Sequence, residues 1–199
     1  MGCGEGYVAR MLAGKGAKVK AIDNDHKMIF LAKSLENKLR QGIEYEVLDV
    51  LNLDSKSKFD IVLLSGVAPS FDEEQLFVVF EKLYTSLKDE GMLILATNHT
   101  RSYFEHAKSN WLEFLTKPNN RSGTQKFIIN FYTPDKQKAF TGEAWIHTPE
   151  QIKSLLVKSG FRIKSIYEPL ATKDDMEHFP EMWGDEDKTP YHFICIAEK

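Results

Sequence analysis

Glycine stands at every second position of Gly2-Cys3-Gly4-Glu5-Gly6, directly ahead of a segment with helical spacing that begins at Tyr7. That alternation points to chemistry done by the backbone. A glycine reaches positive φ without strain and places no side chain between the N–H groups and a ligand. The helix behind the loop aims its unsatisfied N–H groups and the positive end of its dipole at the same spot, which suits a phosphate or a carboxylate. The loop alone therefore names no ligand. A dinucleotide-binding turn spaced G-x-G-x-x-G would need glycine at position 7, where this chain has Tyr7.

Two aspartates extend the pattern. Asp23 ends an apolar strand pattern over residues 18–23, and Asp49 follows another over residues 44–48. Ligands of open α/β sheets bind outside the carboxyl ends of the strands, so both carboxylates belong near the loop. Asp23 could accept from both hydroxyls of a ribose, and Asp49 from an exocyclic amine such as that of adenine. Each aspartate taken alone also reads as a turn residue or helix cap. Together with the glycines they form a nucleoside-shaped set.

The elements that must position these groups alternate in type. Val8, Met11 and Leu12 mark a first helix, stopped by Gly14 and Gly16; a second, over about 26–39, carries a stripe of Met28, Leu31, Ala32, Leu35 and Leu39. Residues 59–64 are almost continuously apolar, which predicts a strand buried on both faces. Leu76, Phe80, Leu83 and Leu87 mark a third helix, and residues 92–96 the next strand. Thr148-Pro149-Glu150-Gln151 has the form of a capping box with Pro at N1, and Gly160 supplies the helix stop. Residues 161–167 and 191–197 read as strands that pair antiparallel at the sheet edge, with an acidic, proline-punctuated surface loop over 171–190. The alternation predicts an α/β fold: a Rossmann-like, doubly wound, mostly parallel sheet with an antiparallel C-terminal edge strand.

Composition bounds the rest. With 199 residues, 42% hydrophobic and 28% charged, the chain is long enough for one sizeable core, and residues 1–199 read as a single domain. A net charge of −3 argues against a nucleic-acid surface dominated by phosphate contacts. Cys3 and Cys195 lie at opposite ends with no metal-like spacing, so no metal site and a reducing, cytoplasmic setting are expected. No apolar run approaches the roughly 18 residues of a membrane span, so no membrane partner is expected. Metalloprotease, hydrolase and nucleoside-triphosphatase motifs are missing from the sequence.

These residues together resemble the class I S-adenosylmethionine-dependent methyltransferases of the small-molecule type, and the likeness runs over nearly the whole chain. Gly2-Cys3-Gly4-Glu5-Gly6 resembles the family's glycine-rich first motif, Ala21-Ile22-Asp23 its ribose-binding strand end, and Leu48-Asp49-Val50 its adenine-contacting motif. Residues 59–65 resemble its fourth strand, residues 91–96 its fifth, and the 145–169 segment is similar to several bacterial members. The resemblance implies S-adenosylmethionine as cofactor, held by Gly2, Cys3, Gly4, Gly6, Asp23, Asn24, Met28, Asp49, Val50, Ser65 and Gly66. It implies methyl transfer to a small-molecule acceptor by in-line attack on the sulfonium methyl. A non-catalytic nucleotide-binding or regulatory protein of the same fold is the alternative, with an NAD-dependent oxidoreductase disfavoured by Tyr7.

The pattern departs from the family at two places. Members carry a first strand that ends in an acidic residue two positions before the first glycine, and the sequence starts at Met1. A first strand that is missing or truncated here is therefore the expectation, which would leave two inner sheet edges unpaired. After the fourth strand members often place paired histidines or an aromatic, where this chain has Ser65-Gly66-Val67-Ala68-Pro69-Ser70. That leaves the catalytic residue unassigned, with His99 and His147 as candidate bases and a structural histidine as the alternative for each. Residues 98–147 form a substrate-side insertion or lid rich in aromatics, either a satellite core or a wall against an acceptor. Tyr132, Trp145 and His147 are its candidate substrate residues, and residues 126–132 an added strand or hairpin over the cofactor. The oligomeric state is open, and a dimer is compatible with the sequence.

Overall fold

The computed structural model describes residues 1–100, 112–116, 124–133, 135–178 and 190–199. The glycine loop opens into helix α1 (Tyr7–Gly14), followed by β1 (Lys20–Asp23), α2 (His26–Leu39) and β2 (Glu44–Val47). Strand β3 (Phe59–Ser65) leads through a 3-10 turn at Ala68–Ser70 into α3 (Glu73–Ser86) and the long β4 (Leu87–Asn98). Then come β5 (Leu112–Phe114), β6 (Gln125–Tyr132) and β7 (Lys138–Ile146). The chain closes with α4 (Pro149–Lys158), β8 (Arg162–Tyr167), the short α5 (Lys173–His178) and β9 (His192–Glu198).

Helix ends sit where side chains satisfy them. Asp25 caps α2 by accepting from Lys27 N, and Asp72 and Thr148 each complete a capping box, with Gln75 and Gln151. The acidic stretch expected as a loop carries α5 instead, its start held by Thr172 and Asp175, which bond each other's backbone N–H. The rest of that stretch, 179–189, lies outside the described residues.

Among the described residues the main strands fall into two parallel-cored sheets, β1-β2 and β3-β4-β9-β8. Strand β9 runs antiparallel to both β4 and β8. It therefore lies one place in from the edge, which β8 holds. The two sheets are bridged at the glycine loop: the Met1 amino group donates to Leu63 O at 2.7 Å, and Cys3 N to Ile22 O at 3.0 Å. A third, antiparallel sheet, β5-β6-β7, contains the hairpin expected over residues 126–132.

Ala21 and Ile22 are neighbours on β1, so their side chains leave opposite faces. Ile22 joins the large core of α3, α4 and the four-stranded sheet, whereas Ala21 joins a small one under α1 and α2. Two expectations are corrected here. Residues 59–64 are buried on one face only: Val62 and Leu64 enter the large core, and Ile61 is 53% exposed. The stripe expected on α2 is displaced, because Ile29 and Ala32 are its buried residues while Met28, Leu31 and Leu39 are exposed. One cause explains both. The small core joins α1 and α2 to β1 and β2, so the helices cover two strands, which bury only a narrow stripe and leave that face of β3 uncovered.

Candidate functional site

The glycine loop has the geometry its spacing demands. Gly2, Gly4 and Gly6 have φ of 64°, 54° and 86°, so left-handed residues alternate with ordinary ones, and the N–H groups of Cys3, Gly4 and Gly6 bond Ile22 O, the Asp23 carboxylate and Cys3 O, which fixes the shape of the loop. The ends of the loop are sterically closed. A Cβ on Gly2 would lie 2.2 Å from Val67 Cγ2, and one on Gly6 would lie 2.3 Å from the Tyr45 hydroxyl. At Gly4 a Cβ would meet nothing within 4 Å, so the middle of the loop is the part a ligand can approach. Gly6 caps α1 without a side chain, which leaves the first-turn N–H groups for a ligand.

The sheet ends converge on this loop. Asp23 closes β1 with Oδ2 accepting from Gly4 N at 2.8 Å and Oδ1 from Asp25 N at 3.0 Å. A carboxylate oxygen accepts twice, so each keeps a lone pair for a ligand hydroxyl. Leu48 N donates to Asp23 O, which sets the end of β2 beside that of β1. There Asp49 Oδ1 caps the turn Val50–Asn52 by accepting from Leu51 N at 2.9 Å. Asn24 and Met28 are exposed nearby in sequence, and Met28 opens α2. Val50 is 7% exposed and its side chain belongs to the large core, so only its backbone could meet a ligand. Ser65 is exposed at the end of β3, and Gly66, with φ of 69°, is held by its N–H to Ala96 O.

The substrate candidates lie elsewhere. Tyr132 donates to Glu113 at 2.5 Å on the β5-β6-β7 sheet, and the same carboxylate accepts from Asn130. The shared bond pushes the phenol up and holds the carboxyl below its ordinary value. Trp145 is half-buried, with Lys126 Nζ 5.7 Å from its ring centroid. Phe127, Ile129 and Ile146 form the satellite core, and Phe131 stacks on Phe140 at 4.3 Å. Tyr103, Phe104 and Trp111 lie outside the described residues. Strand β7 packs against the Ala68–Ser70 turn, which brings this sheet next to the β3 side of the loop.

The two histidines differ. His147 is 4% exposed and both its ring nitrogens are engaged, Nε2 with Phe71 O at 2.9 Å and Nδ1 with Thr124 Oγ1 at 3.1 Å. Burial pushes its pKa down, against the pull of nearby carbonyls and of Glu73 and Asp72. That is the setting of a structural imidazole. His99, 5% exposed at the end of β4, has Nε2 3.4 Å from Glu168 Oε1.

Several contributors were invisible in the sequence. Arg10 Nη2 bonds the Glu5 carboxylate at 2.6 Å while Nη1 bonds the Glu5 carbonyl, pinning the loop from inside α1. Tyr45, beneath Gly6, has a buried hydroxyl with no hydrogen-bond partner among the described residues; burial pushes it up, and the nearby Arg10 opposes that without reaching hydrogen-bond geometry. The (i, i+5) spacing of Glu5 and Arg10 was a faint signal, and Tyr45 gave none. Burial and the adjacent Asp23 carboxylate raise the Cys3 thiol, so it stays protonated within the loop. No group of three or more His, Cys, Asp or Glu among the described residues could hold a metal ion, and no helix among them is long and apolar enough to cross a membrane.

Residues 1–91 match the family described as a methyltransferase domain. The first 91 residues, just under half of the chain, are therefore similar to methyltransferase domains. A ubiquinone biosynthesis O-methyltransferase of Bradyrhizobium diazoefficiens is 29% identical over 97 residues, 49% of this chain and 38% of that protein. The chain thus spans well under half the length of this relative. An S-adenosylmethionine-dependent methyltransferase from Mesorhizobium loti superposes with a TM-score of 0.71 at 20% identity, covering 100% of this chain and 88% of that one. The magnesium protoporphyrin IX methyltransferase of Synechocystis, solved with S-adenosylhomocysteine bound, has a TM-score of 0.63 at 20% identity over 100% and 71%. At these identities the structures show the fold alone, a mixed sheet in a Rossmann-like α/β frame.

Proposed function

We propose that this chain binds S-adenosylmethionine between the glycine loop, Asp23 and Asp49, and directs methyl transfer to a small-molecule acceptor. The observation that carries this reading is the bond from Gly4 N to the Asp23 carboxylate. It ties the glycine loop directly to the carboxylate that closes β1, whose remaining lone pairs suit ribose hydroxyls. When bound, the cofactor supplies an already activated methyl group on its sulfonium.

The protein's share is therefore holding and aiming. The Glu5 N–H and the N–H groups of the first turn of α1 would receive the carboxylate of the amino-acid end. Asp23 accepts from the ribose hydroxyls and Asp49 from the adenine amine, each by its remaining lone pairs. Ser65 and Gly66, at the end of β3, would lie on the sulfonium side, and the base of the β5-β6-β7 sheet, which packs against the Ala68–Ser70 turn, would be the wall nearest the acceptor. Holding the nucleophile in line supplies much of the rate enhancement without further chemistry. An acceptor that carries a proton needs a base; His147 is committed through both ring nitrogens, and His99, 3.4 Å from Glu168, is the other candidate. The two named methyltransferases above act, by their names, on a quinone-pathway compound and a porphyrin, which supports a small-molecule acceptor without selecting one.

Isothermal calorimetry with S-adenosylmethionine, S-adenosylhomocysteine and NAD tests the proposal. The first two should bind and NAD should not. Asp23→Ala should weaken binding by about tenfold or more, through loss of two hydrogen bonds. Unchanged affinity would remove the ribose assignment, and no binding of either sulfur ligand would remove the proposal.

A further inference from the structure

One polar cluster is used by neither the cofactor cradle nor the acceptor wall. Thr124, just before β6, His147, just after β7, Gln151 in the first turn of α4, and Glu73 at the start of α3 meet around one hydroxyl. Gln151 Nε2 donates to Thr124 Oγ1 at 2.9 Å and to Glu73 Oε2 at 3.2 Å, and Thr124 Oγ1 lies 3.1 Å from both Glu73 Oε2 and His147 Nδ1. The proton positions follow from the acceptors. The Phe71 carbonyl only accepts, so His147 Nε2 carries the hydrogen, and Nδ1 of the neutral ring must be an acceptor. Thr124 has one hydrogen, and Glu73 Oε2 and His147 Nδ1 are both acceptors for it at 3.1 Å.

The cluster is tied to the site by a short mechanical path. Phe71 ends the Ala68–Ser70 turn, which is closed by Ser70 N to Val67 O at 2.9 Å and Phe71 N to Ala68 O at 3.2 Å. Val67, at the head of that turn, is the residue whose Cγ2 leaves no room for a side chain on Gly2. A shift of the turn would press directly on the glycine loop, since packed groups at this separation cannot yield without moving.

We propose that this cluster is a clasp through which the β5-β6-β7 sheet holds the Ala68–Ser70 turn, and through Val67 the glycine loop, in its ligand-receiving position, with His147 as the positioning residue. The effect on S-adenosylmethionine rests on the proposed function; the effect on the turn does not. Thr124 and His147 flank the two long strands of the hairpin, so the sheet is anchored at its base by the same atoms that fix the turn. His147 donates to the turn and presents an acceptor to the sheet, a pair of roles that a lone donor or acceptor cannot fill.

Amide exchange and calorimetry with S-adenosylmethionine test the clasp on the 199-residue chain. In His147→Ala, exchange at Ser70 and Phe71 should rise by about tenfold while Leu93 and Leu95 in β4 stay protected, and affinity should fall by about fivefold. His147→Gln keeps a donor for the Phe71 carbonyl and should recover most of both. If His147→Ala fails to fold, Thr124→Val, which removes only the hydroxyl, should show the same two changes in smaller degree. Unchanged exchange at Ser70 and Phe71, or no recovery in His147→Gln, overturns the clasp. Faster exchange with unchanged affinity overturns its coupling to the loop. A wild-type chain that does not bind S-adenosylmethionine counts against the proposed function, and the exchange rates then decide the clasp alone.

Discussion

Around the four-stranded sheet Leu64, Leu76, Phe80, Leu83, Leu87, Leu93 and Leu95 have no exposed surface, whereas the core beneath α1 and α2 consists of Ala9, Ala21, Ile29, Ala32, Ile43 and Tyr45. The first is built almost wholly from large side chains, and the second has only six among the described residues, three of them alanines, beside the exposed Phe30, Met11 and Leu39. The glycine loop, Asp23 and Asp49 sit at the seam between the two: Cys3 and Ala21 pack on the small core, and Met1, Ile22, Leu48 and Val50 on the large one. Backbone N–H groups and strand-end carboxylates need close approach and open access, which a densely filled core denies them. The comparison assigns stability mainly to the large core and ligand chemistry to the seam beside it.

That division can be broken by experiment. The largest effect should come from Phe80→Ala, which opens a cavity in the dense core and should cost about 3–5 kcal/mol in urea unfolding, against about 0.5–1.5 kcal/mol for Ile29→Val in the small core. Similar costs per methylene in both would show that the small core is as tightly packed as the large one. Next, Gly6→Ala forces a side chain onto φ of 86° and toward the Tyr45 hydroxyl, at about 1–3 kcal/mol. It should also weaken S-adenosylmethionine binding, whereas a change confined to stability would separate the loop from the ligand.

A smaller effect concerns pH. Burial lowers the His147 pKa, so the folded state binds fewer protons than the unfolded chain. Its contribution is complete above the unfolded value of about 6.5 and is lost as pH falls below it. Unfolding free energy should therefore decline from pH 7.5 to 5.5, and decline less in His147→Gln; parallel curves would show that His147 does not titrate on unfolding. The lowered Glu150 carboxyl acts in the same direction at lower pH, below its ordinary value. The smallest effect separates the cysteines. Cys195 is fully buried with its thiol pushed up to about 11, and Cys3 is part-exposed in the loop, so an alkylating reagent at pH 8 should modify Cys3 first. Equal rates would place the Cys195 strand among the readily opened parts.

Much of the fold was legible because it depends on local rules. The capping box at Thr148, the helix over 26–39, the antiparallel pairing of the last two strands and the left-handed glycines each follow from a few neighbouring residues. The candidate ribose and adenine carboxylates were legible because strand ends are marked by where apolar runs stop. Burial was read less well. The one-sided burial of β3, the outward turn of Met28, Leu31 and Leu39, and the inner place of β9 depend on which elements lie across from them, and no local pattern carries that.

The sequence by itself determined the loop, the carboxylates behind it and the α/β alternation, because φ preferences, caps and hydrophobic period act over a few residues. Only the tertiary structure decided that Val67 and Tyr45 close the two ends of the glycine loop, that His147 is committed to Phe71 and Thr124, and that Arg10 pins Glu5. Those partners come from different elements, and which side chain meets which is settled by how the layers pack.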